Sequence, residues 1–203
     1  MRMRKKKHGA ERIAACSDYI LQDSKEIDKF PIELEIGCGK GSFVLGMAKK
    51  HPDVSFVAME RVSDVLLLAA EKVKAEGLTN VKFIVGDAKR VCELFPAASV
   101  QRIYLNFSDP WPKSGYYKRR LTYKDFLELY KTILLPDGEI IFKTDNVGLF
   151  DFSLEQFEAA GFRLRELTRD LHNSIYNEEN IVTEYEKNFS EKGFPIHRVV
   201  AYL

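Results

Sequence analysis

Carboxylates recur through the first half of the chain beside short apolar runs. Glu35 sits within Ile32 to Ile36, Glu60 follows Val54 to Met59, and Asp87 follows Val81 to Val85. Around the first lies Glu35-Ile-Gly37-Cys-Gly39-Lys-Gly41, whose glycines permit a tight turn and let the backbone approach a ligand closely at a helix start. Ser42 stands where a third glycine would complete G-x-G-x-x-G. Glu60, 25 residues beyond Glu35, is spaced to accept hydrogen bonds from ribose hydroxyls in a nucleoside-binding fold. Asp87 adds an acceptor for an exocyclic amine. Taken together, Gly37, Gly39, Glu60 and Asp87 describe a nucleotide-cofactor site, and their spacing leaves NAD and S-adenosylmethionine both open. Taken singly, each acid could equally cap a helix.

A second set of residues suits a base and its phosphates. Asn106-Phe-Ser-Asp109-Pro-Trp-Pro112-Lys113 follows a fourth apolar run, Val100 to Leu105. Two prolines around the only tryptophan stiffen this loop, which favours a binding role. Asp109 can accept from the ring and exocyclic N–H groups of a base, while Trp111 can either stack on a base or pack beneath the loop. Lys113, Lys118, Arg119 and Arg120 then interleave with Tyr116 and Tyr117. That composition suits phosphates and exposed bases, and also a solvated charged loop. Further on, Lys143-Thr-Asp145-Asn146 ends a fifth run, and Asn180 to Lys187 is a polar segment in which Thr183 could cap a helix.

The elements that must hold these residues alternate in character. Between the apolar runs, Phe43 to Lys50, Val62 to Glu76 and Tyr123 to Leu134 carry apolar residues at three- and four-residue spacing, as helices covering a sheet do. A fifth strand is expected at Glu139 to Phe142, a closing strand at Ile196 to Tyr202, and a short helix over Gly9 to Gln22. Gly77, Pro136-Asp-Gly138 and Gly161 are expected to punctuate the helix ends. The class is therefore α/β with a mainly parallel sheet, whose ligands sit at the carboxyl ends of its strands.

Composition sets the outer limits. With 203 residues, 45% of them hydrophobic, the chain suits one domain around one core, expected over 9–203. A net charge of +1 gives no global pull toward nucleic acid, so any polyanion site must be local. One local source is Arg2, Arg4, Lys5, Lys6 and Lys7, in a basic arm expected over 1–8 that reaches phosphates without selecting a base. Cys16, Cys38 and Cys92 are odd in number and scattered, which argues against disulfides and a structural zinc; no metal is expected. With no run long enough for a membrane span and no signal-peptide core, a cytoplasmic protein without membrane contact is expected.

At this point the chain resembles the bacterial tRNA (guanine-N7-)-methyltransferases over nearly its whole length. The resemblance rests on Glu35 to Gly41, Tyr104 to Lys113, Lys118 to Tyr123, Phe142 to Asn146 and Thr183-Glu-Tyr-Glu186. It implies a single Rossmann-like class I methyltransferase domain, a seven-stranded sheet with helices on both faces, S-adenosylmethionine as cofactor and tRNA as partner, in a monomer or homodimer. It implies that Glu35, Glu60, Asp87 and Asp109 belong to the cofactor site, with Asp109 also catalytic. It further implies that Lys113, Asp145, Thr183, Glu184, Tyr185 and Glu186 meet the substrate guanosine, and that Gly115, Tyr116, Tyr117, Lys118, Arg119 and Arg120 contact tRNA. The implied target is the variable-loop guanine. A dehydrogenase would share the glycine loop and Glu60 but leaves the Asp-Pro-Trp-Pro loop unexplained; a catalytically idle RNA-binding module would leave the cofactor acids without a purpose.

Overall fold

The computed structural model describes residues 9–203 except 23 and 28. The basic arm expected over 1–8 lies outside the described residues. Along the chain come α1 (Gly9–Ala15), β1 (Ile20–Leu21), β2 (Ile32–Ile36), α2 (Ser42–Lys50), β3 (Phe56–Glu60), α3 (Ser63–Ala75), β4 (Val81–Val85), α4 (Val91–Leu94) and β5 (Val100–Asn106). They are followed by α5 (Lys124–Ile133), β6 (Leu134–Thr144), α6 (Val147–Ala159), β7 (Arg163–Thr168), α7 (Glu184–Ser190) and β8 (His197–Tyr202).

One sheet joins the strands in the order β1-β4-β3-β2-β5-β6-β8-β7. The pairs from β1 to β6 are parallel, and β8 enters antiparallel between β6 and β7. The order turns back between β2 and β5, and a parallel sheet opens a crevice for ligands at such a point. Period-two alternation divides the core. Ile32, Leu34, Ile36, Val57, Met59, Ile103 and Leu105 face α5 and α6, whereas Phe56, Ala58, Val81, Phe83 and Tyr104 face α2 and α3. Fully burying one such branched or aromatic side chain contributes about 1.5–3 kcal/mol, so the central strands are held from both sides.

Three expectations need correction. Among the described residues eight strands replace seven, and the helix expected over Gly9 to Gln22 stops at Ala15. Beyond it Ile20 and Leu21 are buried beside β4, and the Tyr19 carbonyl accepts from the Phe83 N–H at 2.7 Å, so an apolar pair extends the sheet instead of a helix. Pro136-Asp-Gly138 does not end a helix: α5 passes directly into β6, and these residues form a bulge where the register shifts between Val100 and Arg102.

The second face of β2 carries Glu33 and Glu35 where apolar residues would be expected, and both are buried. Glu33 accepts from the Tyr104 hydroxyl at 2.7 Å and from Arg102 at 3.0 Å. Glu35 accepts from Asn106 at 3.1 Å through one oxygen, and its Oε2 is buried without a hydrogen-bond partner. A buried carboxylate oxygen left in that state is costly, which directs attention to the sheet edge above it.

Candidate active site at the carboxyl edge of the sheet

The glycine loop leaves β2 through Gly37, Gly39 and Gly41, all at positive φ (81°, 54° and 75°). Gly41 is also required by packing, because a Cβ there would lie 2.6 Å from the Ala69 Cβ and drive α2 off α3. Glu60 fixes the loop from the next strand end, accepting from the Gly39 N–H at 3.3 Å and from the Val62 N–H at 2.9 Å. Asp87 caps the 3-10 turn Ala88–Arg90 by accepting from the Lys89 N–H at 3.0 Å. Capping and ligand-facing roles coincide here, since Gly37, Glu60, Asp87, Asp109 and Trp111 all line one cavity of about 610 Å3. Apolar walls come from Ile36, Met59 and Phe126. Glu35 is not on the cavity wall; it stands behind Asn106, which is. Burial pushes the Glu35 carboxyl up to about 7, opposed by the Asn106 hydrogen bond and the nearby Lys143 ammonium.

The loop after β5 is strained. Phe107 and Trp111 have φ of 52° and 41°, a region in which non-glycine residues cost roughly 1–3 kcal/mol unless their surroundings hold them. Arg120 supplies that hold: its guanidinium donates to the Pro110 carbonyl at 2.9 Å and the Trp111 carbonyl at 3.3 Å, and lies over the Phe152 ring. Arg119 lies over both Trp111 and Tyr116, at 5.0 and 4.5 Å from the ring centroids. Arg119 therefore reaches the cavity mouth, while Arg120 is engaged within the loop. Gly115, Tyr116, Tyr117 and Lys118 form the exposed 3-10 turn Ser114–Arg119, and Lys113 is the exposed residue that precedes it.

From the far side comes the segment leading into α7. Thr183 and Glu186 form a reciprocal capping box. Glu186 is fully buried, and its oxygens accept from Lys143 at 2.9 Å, His172 at 2.8 Å and Asn180 at 2.7 Å. Glu184 points instead to Lys72 and Lys40, at 2.8 and 3.4 Å, beside the glycine loop. Tyr185 packs on Phe107, with ring centroids 5.0 Å apart, and stacks on Phe189 at 4.4 Å. Burial raises the Tyr185 phenol, and so do the nearby carboxylates of Asp145 and Asp109. Tyr185 thus packs on Phe107, which lines the cavity together with Asp109, while Asp145, Tyr185 and Lys113 themselves line neither this cavity nor its neighbour.

Comparison with known proteins decides the lineage. Residues 29–199 match a family model described as "Putative methyltransferase". The tRNA (guanine-N(7)-)-methyltransferase of Lachnoclostridium phytofermentans is 45% identical, with 96% of this chain and 95% of that one covered. Its counterpart in Clostridioides difficile is 44% identical over 99% and 98%. The chain belongs to this methyltransferase family. Solved structures extend the fold further: 16S rRNA methyltransferase KamB matches with a TM-score of 0.64 at 16% identity, over 100% of this chain and 96% of that one. A SAM dependent methyltransferase from Aquifex aeolicus gives 0.59 at 15%, over 96% and 88%.

Within this methyltransferase frame, three residues acquire roles that spacing did not suggest. Asn106 links Glu35 to the cavity, Phe107 carries Tyr185, and Lys143 joins the sheet to α7. A lysine near the end of the apolar run Ile140-Ile-Phe-Lys143-Thr144 is the signal that could have exposed the last of these. Among the described residues, no group of three His, Cys, Asp or Glu side chains could hold a metal ion, and no helix is long and apolar enough to cross a membrane.

Proposed function

We propose that this chain transfers a methyl group from S-adenosylmethionine to N7 of the variable-loop guanine of tRNA. The observation that carries this reading is one cavity lined by Glu60, Asp87 and Asp109 at the carboxyl edge of the sheet, with Tyr185 packed on the Phe107 of its wall.

The cavity suits an adenosyl sulfonium. Its volume lies within the roughly 300–1,000 Å3 usual for small-ligand sites. Glu60 and Asp87 offer acceptors to ribose hydroxyls and an exocyclic amine, and Ile36 and Met59 offer apolar surface to a ring. Asn106 and Ser108 line the cavity, and Asn106 Oδ1 and Ser108 Oγ are buried without hydrogen-bond partners. When bound, S-adenosylmethionine would supply a methyl group made electrophilic by its sulfonium.

Guanine N7 has an in-plane lone pair and no proton, so the protein needs no base to activate it. Its task is placement, which can supply several of the ~7–11 kcal/mol available from orienting two reactants. Tyr185 and Phe107 present ring surface on which the guanine can lie, and Asp109 orients it toward the cavity. Methylation leaves positive charge on the base, and the carboxylates of Asp109 and Asp145 stabilise that charge as it forms. Thr183 and Glu186 shape the wall that carries Tyr185. Lys113, Lys118 and Arg119, with Arg2, Arg4, Lys5, Lys6 and Lys7 of the arm, contact phosphates and strengthen binding without choosing the base.

The test is methyl transfer from labelled S-adenosylmethionine to unmodified tRNA transcripts, followed by mapping of the modified base. Label on the variable-loop guanine is expected. Label on another base, or cofactor binding with no transfer to any tRNA, would overturn the proposal.

A further inference from the structure

Lys143 is the most thoroughly engaged buried cation among the described residues, and the reaction just proposed gives it no task. It sits at the carboxyl end of β6, paired in register with Asn106 of β5 and Arg198 of β8, and only 2% of it is exposed. Burial lowers its ammonium from the usual lysine range, opposed by Glu186 and Glu35. An ammonium has three protons to donate. The acceptors are Asn180 Oδ1 at 2.8 Å, the Ile181 carbonyl at 3.2 Å and Glu186 Oε2 at 2.9 Å, all from one short segment of chain. The same ammonium lies 5.3 Å from the Phe43 ring centroid and 5.8 Å from that of Phe107. Phe107 in turn packs against Tyr185.

The segment is docked from the rim as well. Glu179 meets Lys50, and Glu184 meets Lys40 and Lys72, but these pairs are partly exposed and contribute little individually. Ile181 seats against α2 at Gly46, where a Cβ would come within 2.5 Å of the Ile181 Cγ2. A buried tether and a glycine seat therefore set how far the 180–186 segment lies from the sheet. That distance sets where Tyr185 stands relative to Asp109 and Asp145.

We propose that Lys143 is a positioning residue for methyl transfer: by tethering residues 180–186 it places Tyr185 over the guanine site without touching substrate or cofactor. The proposal rests on the functional reading above. Lys143 lines no part of the cofactor cavity, so its loss should change methyl transfer more than cofactor affinity, and the two can be separated.

The experiment compares wild type with Lys143→Met and Gly46→Ala, measuring kcat and KM for tRNA, S-adenosylmethionine affinity by calorimetry, the thermal midpoint, and hydrogen exchange of residues 180–189. Lys143→Met should lower kcat by about 100-fold, the scale of an ångström-sized misplacement, with KM for tRNA and cofactor affinity changed less than about threefold. Gly46→Ala replaces a helical glycine by a better helix former, so the fold should persist while Ile181 is pushed outward and kcat falls in the same pattern, less steeply. Exchange of 180–189 should quicken in both. Unchanged kcat in both variants would overturn the proposal, as would cofactor affinity falling in step with kcat. If Lys143→Met does not fold, Gly46→Ala decides by the same criteria. Should the wild-type protein transfer nothing to tRNA, the functional reading fails by itself, and the exchange comparison decides the tether: faster exchange supports it and unchanged exchange refutes it.

Discussion

At the ends of β2, β3 and β4 the ligand edge is made from backbone geometry local in sequence, whereas at the ends of β5 and β6 it is made by contacts between distant residues. On the first side, positive-φ glycines shape the loop, and Glu60 and Asp87 are fixed by N–H groups at most 21 residues away. On the second, two non-glycine residues hold positive φ, and the closing segment is tied by Lys143 to Glu186 and by Lys40 to Glu184 across 43 and 144 residues. Local geometry is set once the strands pair and changes little afterwards. Long-range ties between charged groups can be weakened singly, so the edge at β5 and β6, proposed to hold the guanine, should be the side whose alteration changes rate more than cofactor binding.

Replacing Asp109 tests that division most severely. Asp109→Asn keeps the shape and removes the charge, and kcat should fall about 100- to 1,000-fold while cofactor affinity changes less than about tenfold. Steady-state kinetics and calorimetry on one preparation suffice. Equal losses in both would place Asp109 wholly on the cofactor side and dissolve the distinction.

The next effect is on stability and belongs to the cofactor side. Glu35 is raised from 4.5 to about 7 in the folded chain, so the native state holds a proton that the unfolded state has released. Stability relative to Glu35→Gln should therefore fall as pH rises through that window, by about 3 kcal/mol in all, and level off above it. Urea unfolding of both proteins across the pH range reads this directly. A constant difference between them would show that Glu35 is already ionised in the absence of ligand.

A smaller effect isolates the RNA contact. Lys118 is exposed on the turn after the Asp-Pro-Trp-Pro loop, and Lys118→Ala should reduce the slope of log affinity for tRNA against log salt by about 0.7–0.9. Affinity should drop a few-fold at moderate salt, with kcat unchanged. An unaltered slope would leave Lys118 a solvated charge.

The same comparison explains what could be read from the residues alone. Parallel strands buried on both faces announce themselves as apolar runs, and the glycines, Glu60 and Asp87 follow them within a few positions, so their placement at the strand ends was legible. Strand β7 was not: its apolar members are Leu164 and Leu167, the latter 45% exposed, set among alternating charges at a sheet edge. Strand β1 is two residues long and has no period to detect. Glu186 was expected at the guanosine from the family resemblance alone; its complete burial against Lys143 depends on a partner that no periodicity links to it. Pro136-Asp-Gly138 carried a real turn signal that the fold uses as a bulge.

The central claim is that N7 attacks from a guanine placed by the protein without activation by a base. It is tested most directly with two tRNA transcripts, one unmodified and one carrying 7-deazaguanosine, which has C–H in place of N7, at the variable-loop position. The account predicts similar binding of both and methyl transfer to the unmodified transcript alone; equal transfer to both would contradict it.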